Sequence, residues 1–309
     1  MKKLFKVLMV LVLAGFLLSA CSTSGETSVD ETQTSDALGR QVSIPEDPQR
    51  ILALTSSAMQ TIYNLGLEPV GKVEEYKISE AGMALPSVGQ SESINMEAVY
   101  DLQPDSIIAS SRYHADLEEE LEASGATVYY FDPDAVGEIA VVDINTYFGQ
   151  LLNRETEAQT YVDGVMSHAE TLSEEIAATG IETGIMLKMG DTVMAAQNAS
   201  SYGSMFLLLG IENVVPDDLP NTGKSSFVAF DAEAIAAADP DVIYLVAQSN
   251  DQAATQAMKA DFLADEKWTM LSAVQQKNVV VLPFKANLNR VTVDDMLDLT
   301  ASALLENKQ

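Results

Sequence analysis

The sequence is poor in three kinds of side chain on which protein sites often depend. It has one cysteine, two histidines and 17 lysines and arginines against 46 aspartates and glutamates in 309 residues. One cysteine cannot form a disulfide within the chain, and together with two histidines it cannot build a zinc or manganese site made mainly of His and Cys ligands. The net charge of −29 argues against binding to nucleic acid or to an anionic membrane surface.

The first residues have the composition of an export signal. Three lysines precede an apolar run over residues 8–18, which is too short for a typical membrane-spanning helix. The run ends in Leu-Ser-Ala-Cys at Cys21, which resembles the lipobox of bacterial lipoproteins, where the cysteine is acylated; an ordinary secretory signal is the alternative. We predict a lipoprotein signal peptide over 1–20 and a disordered, Ser/Thr/Glu-rich tether over 21–35, with the protein lipid-anchored on the outer face of the cytoplasmic membrane.

A long helix is predicted over residues 155–179. Apolar side chains recur there at steps of three and four, which keeps one face of a helix apolar. Gly180 is a natural end for this helix. At 1.5 Å per residue the helix would be about 37 Å long, roughly the width of a small domain. We interpret it as the element around which the chain is organised.

Two similar segments lie on either side of this helix, 136 positions apart. The offset aligns Glu97 with Glu233, Pro104 with Pro240 and Asp105 with Asp241. Each copy predicts a short helix, a Pro-Asp break and a buried strand. Chance similarity between two common helix–turn–strand units is the alternative interpretation.

This repeat indicates an α/β protein with two similar lobes joined by one helix. We predict an N-terminal α/β lobe over 36–145, a helical linker over 146–179 and a C-terminal α/β lobe over 180–309. The length and the hydrophobic content of 47% suit a globular chain of two domains.

Three short motifs near the start of the N-terminal lobe occur in a specific order. They read D-x-x-G-R-x-V-x-I-P from Asp36, P-x-R-I from Pro48, and L-G-x-x-P-V-G from Leu65. This ordered set resembles the opening of the iron-complex (siderophore, haem or cobalamin) substrate-binding proteins of ABC importers. The likeness continues over 95–108, 148–152 and 268–283, and residues 188–215 are most similar to the haem-receptor lipoproteins of Gram-positive bacteria.

The resemblance implies a fold and a set of partners. Members of this family, the class III periplasmic binding proteins, have two Rossmann-like α/β lobes joined by one long rigid α-helix, with the ligand held between the lobes. We therefore expect a monomeric receptor without a cofactor that captures a ferric complex of siderophore type, the iron staying within the chelate with no direct protein ligand. The receptor would deliver the complex to an ABC permease dimer with its ATPase.

Haem or cobalamin is the alternative ligand. In the haem-receptor branch a methionine and a histidine hold the iron, and those positions fall on Glu92 and Gln248 here, neither of which is a normal haem ligand. A hydrolytic enzyme built on two α/β lobes is a more distant alternative. We find no phosphate loop, no G-x-S-x-G elbow and no H-E-x-x-H motif, so we predict a protein that binds and does no chemistry.

Ligands of open α/β sheets bind at the carboxyl ends of the strands, so the candidate site residues lie in the loops that follow predicted strands. Arg112 is the strongest candidate, because a guanidinium can pair bidentately with the oxygens of an iron chelate; a surface pair with Glu118 or Glu119 is the alternative. The remaining candidates after strands are Ser56, Tyr113, His114, Gln248, Lys285 and Arg290. Tyr202, just before a predicted apolar helix, resembles an aromatic residue that family members present at the cleft. For His114 a solvated loop position is the alternative, and His168 in the long helix is interpreted as structural or exposed.

Glu97 and Glu233 are predicted to dock the receptor on its permease. In the family that the chain resembles, one such glutamate per lobe meets an arginine pocket on each permease subunit. The alternative is that each carboxylate only stabilises the start of its helix.

Overall fold

The computed structural model describes residues 32–133, 135–220 and 225–308. The strands are β1 (Thr32–Ser35), β2 (Gln41–Ile44), β3 (Ile51–Ala53), β4 (Gly89–Gln90), β5 (Ser93–Ile94), β6 (Ser106–Ser110), β7 (Thr127–Phe131), β8 (Thr183–Lys188), β9 (Met194–Ala196), β10 (Glu212–Asn213), β11 (Phe227–Ala229), β12 (Val242–Val246) and β13 (Val279–Leu282). The α-helices are α1 (Ser56–Asn64), α2 (Glu80–Met83), α3 (Met96–Leu102), α4 (Ser111–His114), α5 (Glu118–Glu122), α6 (Ala140–Leu151), α7 (Glu155–Ala177), α8 (Ser201–Leu208), α9 (Ala232–Ala238), α10 (Gln252–Ala264), α11 (Ser272–Gln275) and α12 (Val293–Leu305).

Two separate sheets form the centres of the two lobes. In the N-terminal lobe β3, β6 and β7 are parallel, in the order β3-β6-β7. In the C-terminal lobe the order is β11-β9-β8-β12-β13, with β10 also paired to β8. The strands β8, β12 and β13 are parallel, while β9 and β11 are antiparallel to their neighbours. The central strands β6 and β12 are buried along their whole length, as expected of parallel strands covered on both faces.

The repeat predicted from the sequence is present in the structure. The helices α3 and α9 are capped at equivalent positions, where Asn95 accepts a hydrogen bond from the Ala98 N–H and Asp231 accepts one from the Ala234 N–H. Both helices end in a left-handed residue, Gln103 with φ 46° and Asp239 with φ 41°. The strands β6 and β12 follow at the same offset of 136 residues, so the helix, the break and the buried strand are confirmed in both copies.

The aspartate of each Pro-Asp break fixes the start of the neighbouring strand. Asp105 accepts the backbone N–H groups of residues 49–50, just before β3, at 2.8 and 3.0 Å. Asp241 accepts those of residues 182–183, at the start of β8, at 3.0 and 2.9 Å. The repeat therefore includes its side-chain hydrogen bonds as well as its backbone.

The helix α7 joins the two hydrophobic cores. Its first buried residue, Ala158, packs in the core of the N-terminal lobe, whereas Val165, Ala169 and Ile176 pack in a core of the C-terminal lobe. The predicted helix is confirmed and ends two residues earlier than predicted, before Gly180 with φ +75°. With 23 residues it is about 35 Å long.

The junction between α6 and α7 needs a residue without a side chain. A Cβ at Gly149 would lie 2.5 Å from the Cβ of Ala158 and 3.1 Å from the carbonyl oxygen of Arg154. Because neither of those atoms is the end of a flexible side chain, a larger residue would push the two helices apart. The close contact holds the linker helix against the N-terminal lobe.

The D-x-x-G-R motif forms a clamp on the N-terminal lobe. The Arg40 guanidinium lies 2.8 and 2.7 Å from the buried Asp36 carboxylate and reaches Glu118 and Glu122 at 3.1 and 2.6 Å. It also donates to the carbonyl oxygen of Val128 in β7. Glu118, which the sequence offered as an alternative partner of Arg112, pairs with Arg40.

The predicted anchor lies mostly outside the described residues. The signal peptide and Cys21 lie outside the described residues. None of the helices that the structure describes has both the length and the apolar character needed to cross a membrane. The tether was predicted to reach residue 35, but Thr32–Ser35 form β1 and pair antiparallel with β2. That part of the prediction is wrong, because backbone hydrogen bonds to β2 order a segment that has almost no apolar side chains to bury.

His168 ties α7 to α12 through two carboxylates. Its Nδ1 lies 3.0 Å from Asp294 and its Nε2 lies 2.9 Å from Asp298, so both ring nitrogens have an acidic partner. The hydrogen bond to Asp294 and the nearby negative charges raise the pKa of His168 above its ordinary value of 6.5. The structural reading of this histidine agrees with the geometry.

Replacing His168 with asparagine is expected to destabilise the fold most at low pH. Because the pKa of His168 is higher in the folded protein than in the unfolded chain, the ion pairs stabilise the fold fully at pH values below the pKa in the unfolded chain. This stabilisation is lost as the pH rises through the pKa in the folded protein. Since the ring is partly exposed, the loss of unfolding free energy should stay below about 1 kcal/mol. Urea unfolding at about pH 5 and about pH 9 measures it; an equal loss at both pH values would contradict the ion pairing.

Candidate ligand-binding cleft

A cavity of about 490 Å³ lies between the two lobes. The N-terminal lobe lines it with Thr55 and Ser56 at the start of α1 and with Ser110 at the end of β6. The C-terminal lobe lines it with Ser200 and Tyr202 around the start of α8. Strand ends and helix starts from both lobes thus face one space, as the α/β architecture predicts.

A second cavity of about 540 Å³ adjoins the first. Glu75, Tyr202 and Asn287 line both cavities. Near their meeting point the Lys77 N–H donates to the carbonyl oxygen of Asn289 at 2.6 Å, which joins the N-terminal lobe to the loop after β13. We call these two adjoining cavities together the cleft, and this backbone hydrogen bond links the two lobes beside it.

Most of the predicted site residues lie in this cleft. Ser56, Arg112 and Tyr113 line the first cavity. Gln248 and Arg290 line the second, and Tyr202 lines both.

The side chains from the C-terminal lobe are held in place by neighbours. The Tyr202 ring packs on Phe227 with centroids 5.0 Å apart, and its hydroxyl accepts a hydrogen bond from Asn287 at 3.5 Å. The Arg290 guanidinium lies 4.6 Å from the centre of the Phe284 ring. Gln248 donates to the carbonyl oxygen of Met189.

Two of the predicted residues are not in the cleft. Lys285 is exposed and is not among the described residues that line either cavity. His114 is fully buried and lines neither cavity. Both residues follow a strand, His114 as the last residue of α4 and Lys285 in a turn, but such a position does not determine which way the side chain points.

His114 holds together two loops that do line the cleft. Its Nδ1 accepts a hydrogen bond from the Ser110 N–H at 2.9 Å, and its Nε2 lies 2.8 Å from the carbonyl oxygen of Ser91. Because a backbone N–H can only donate, Nδ1 carries no proton and Nε2–H is the donor to Ser91. Burial lowers the pKa of His114 below its ordinary value, which favours this neutral form.

Replacing His114 with alanine is expected to lower the free energy of unfolding by about 1–3 kcal/mol at neutral pH, because one buried and one partly buried backbone group lose their partner. Because the pKa of His114 is lower in the folded protein than in the unfolded chain, its hydrogen bonds stabilise the fold fully at pH values above the pKa in the unfolded chain. This stabilisation is lost as the pH falls toward the pKa in the folded protein. The cost of the substitution should therefore shrink as the pH falls from about 7.5 to about 5, which is opposite to His168. Urea unfolding at both pH values checks this; a cost that grows toward low pH would contradict the neutral tautomer.

A polar stripe on α1 was missed by the sequence reasoning. Ser57, Gln60, Thr61 and Asn64 line the first cavity, while the opposite face of the helix is buried. Gln60 donates to Asn64 at 2.9 Å, and Asn64 donates to Asn145 of α6 at 2.8 Å. The spacing of three and four is the signal that would have found this stripe, since it places polar groups along one face of an apolar helix.

Formal charges in the first cavity nearly cancel. Arg112 is the only cationic side chain among its described lining residues, which also include the carboxylates of Glu75 and Glu92. Glu75 accepts the Ser91 N–H at 3.0 Å and so also fixes the loop that His114 holds. Within the described residues no group of three or more His, Cys, Asp or Glu side chains is placed to hold a metal ion.

The two candidate docking residues lie outside the cleft. Glu97 is exposed in the first turn of α3, and Glu233 is exposed in the first turn of α9. They occupy equivalent positions of the repeat, one in each lobe.

Comparison with known proteins identifies the family. The chain is 23% identical over 294 residues to the Fe(3+)-citrate-binding protein YfmC of Bacillus subtilis, covering 90% of this chain and 88% of that protein. It is 25% identical over 296 residues to the putative ABC transporter substrate-binding lipoprotein YhfQ of the same organism, covering 90% of each.

The solved structure of Staphylococcus aureus SirA with staphyloferrin B matches at a TM-score of 0.68 and 19% identity, over 89% of this chain and 98% of that one. This likeness confirms the predicted fold of two α/β lobes on one long helix. A family model described as "Periplasmic binding protein" matches residues 51–286, which confirms the prediction of a binding protein rather than an enzyme. The chain therefore belongs to the periplasmic binding protein family.

Proposed function

We propose that this protein is the lipid-anchored receptor of an ABC importer, which captures a ferric iron complex of siderophore type outside the cytoplasmic membrane and delivers it to the permease. The family membership and the relatives named for ferric citrate binding and for ABC transport support this proposal. The receptor performs no chemistry on its cargo. It acts by holding the complex between two lobes whose separation is limited by the continuous helix α7.

The observation that carries the proposal is the cleft itself. Arg112 and Tyr113 enter it from one lobe and Tyr202 and Asn287 from the other, so a ligand there touches both lobes. A guanidinium and hydroxyl groups suit the oxygen atoms that surround iron in a chelate. No histidine, methionine or cysteine is among the described residues that line either cavity, which favours a chelate over haem.

Ligand titration followed by intrinsic fluorescence tests this function. Tyr113 and Tyr202 lie in the cleft, whereas Trp268 is buried against Phe262 with ring centroids 5.0 Å apart. A bound ferric chelate should quench tyrosine emission more than tryptophan emission, and the iron-free chelator should bind more weakly. Tight binding of haem or cobalamin, with no response to any ferric chelate, would overturn the proposal.

Replacing Cys21 with alanine is expected to release the protein from the membrane. Without the thiol the chain cannot receive the acyl chains that hold it at the bilayer. Fractionation of cells that express the Cys21→Ala variant measures the change, with Ser24→Ala as the control that keeps the anchor. Membrane association of the Cys21→Ala variant that survives washing without detergent would argue against lipidation.

A further inference from the structure

The charges in the cleft restrict the kind of iron complex that fits it. Among the described residues, the first cavity is lined by one cationic side chain, Arg112, and by two carboxylates, those of Glu75 and Glu92. The second adds Lys77, Lys188 and Arg290, together with Glu74. The formal charges of the described side chains around the whole cleft therefore nearly cancel. A complex with several negative charges would instead need an excess of cations around it.

The four helices of eight or more residues that begin at the first cavity add only about one net positive charge. A helix N-terminus carries about half an elementary charge, and α1, α6, α8 and α12 all begin at the first cavity. Two of these ends already have a carboxylate from the protein, because Asp143 accepts the Ile139 N–H at the start of α6 and Asp295 forms a capping box with Thr292 at the start of α12. The remaining two ends roughly offset the excess carboxylate of the cavity.

Most of the polar groups around the first cavity are uncharged. They are hydroxyl and amide side chains, among them Thr55, Ser57, Gln60, Asn64, Ser201 and Asn287. Such groups bind ligand oxygens by hydrogen bonds and make no demand for ligand charge. The rest of the molecule also disfavours an anion, since a net charge of −29 repels anionic ligands as they approach.

We infer that the cleft selects a ferric hydroxamate complex whose net charge is zero or positive. This inference rests on the proposed function, and it adds the ligand class. Each hydroxamate group loses one proton when it binds iron, so a trihydroxamate balances the charge of the ferric ion. Citrate complexes keep free carboxylates and a tris-catecholate complex is a trianion, and neither finds enough cations among the described residues that line the cleft. Arg112 would then meet the polarised hydroxamate oxygens.

Binding of three probes to the full chain tests the ligand class: ferrioxamine B, ferric citrate and ferric enterobactin. The hydroxamate is expected to bind at least tenfold more tightly than the other two, with a dissociation constant that changes little with salt, because no net ion pairing is involved. Tighter binding of citrate or enterobactin, weakened by salt, would overturn the ligand class and leave the proposed function intact. Failure of all three iron complexes to bind would overturn both.

A charge-reversal variant separates electrostatics from shape. Glu92 is exposed in the turn between β4 and β5 and lines the first cavity. Glu92→Lys should improve the affinity for ferric citrate relative to ferrioxamine B by roughly threefold to tenfold, since it adds a cation beside the ligand. The matched control is Glu170→Lys on the exposed middle of α7, which changes the net charge equally and should leave the ratio unaltered. An unchanged ratio in Glu92→Lys would mean that charge does not set the choice.

Discussion

A variant with both Glu97→Gln and Glu233→Gln is expected to bind its iron complex normally and to lose most uptake through the permease. Both carboxylates are exposed and lie outside the cleft, so the ligand does not depend on them. The family resemblance predicts that each glutamate meets an arginine pocket on the permease. A charge pair at such an interface costs about 2–5 kcal/mol when one partner is removed, because the other charge stays buried and unpaired.

The structure makes this separation of functions measurable. The helices α3 and α9 keep their caps at Asn95 and Asp231 in the double variant, so only the favourable charge near each helix start is lost. That loss is worth about 0.3–1 kcal/mol per helix at an exposed site, too little to unfold the protein. Melting temperature and ligand affinity should therefore stay close to those of the unmodified chain.

Uptake by permease reconstituted in proteoliposomes is the decisive measurement. The matched control carries Glu119→Gln and Glu170→Gln, which removes two other exposed carboxylates and should transport normally. If the Glu97 and Glu233 variant also transported at the normal rate, the two glutamates would have only the local role of stabilising their helices.

The architecture could be predicted because its signals are local. Apolar spacing of three and four is enough to identify α7, and one offset of 136 residues is enough to pair α3 and β6 with α9 and β12. The strand β1 escaped prediction because its order comes from the backbone of β2 rather than from its own side chains. The break between α6 and α7 is likewise set by the left-handed residue Asn153 with φ 54° and by the contact at Gly149, and neither is visible in a hydrophobic pattern.

The site was predicted only in outline. Strand ends point to Ser56 and Arg112, because parallel strands end at one edge of a sheet. The role of His114 depends on Ser91, 23 residues earlier in the chain, whose loop reaches the ring only after the lobe has folded. For Gln60 and Asn64 the signal was present on the polar face of α1, but their partner Asn145 belongs to a different helix, and only the tertiary structure brings the three amides together.

Replacing Arg112 with alanine is expected to weaken binding of the iron complex by about 1.5–3 kcal/mol, which is roughly tenfold to more than a hundredfold in the dissociation constant. Arg112 is the sole cationic side chain that the described residues bring to the first cavity, and it follows the buried strand β6. Its charge-assisted hydrogen bonds to chelate oxygens are stronger than those of the surrounding hydroxyl and amide groups. No other described lining residue of that cavity can replace them.

Two further variants decide what the arginine contributes. Arg112→Lys keeps the charge and loses the planar pair of donors, so an intermediate loss of affinity is expected. Lys285→Ala removes a cation that lies outside both cavities and should leave the dissociation constant unchanged. Titration with the same ferric chelate measures all three variants under identical salt conditions. Equal affinities for the Arg112→Ala variant and the unmodified chain would remove Arg112 from the site, because a guanidinium that touches the ligand cannot be lost without cost.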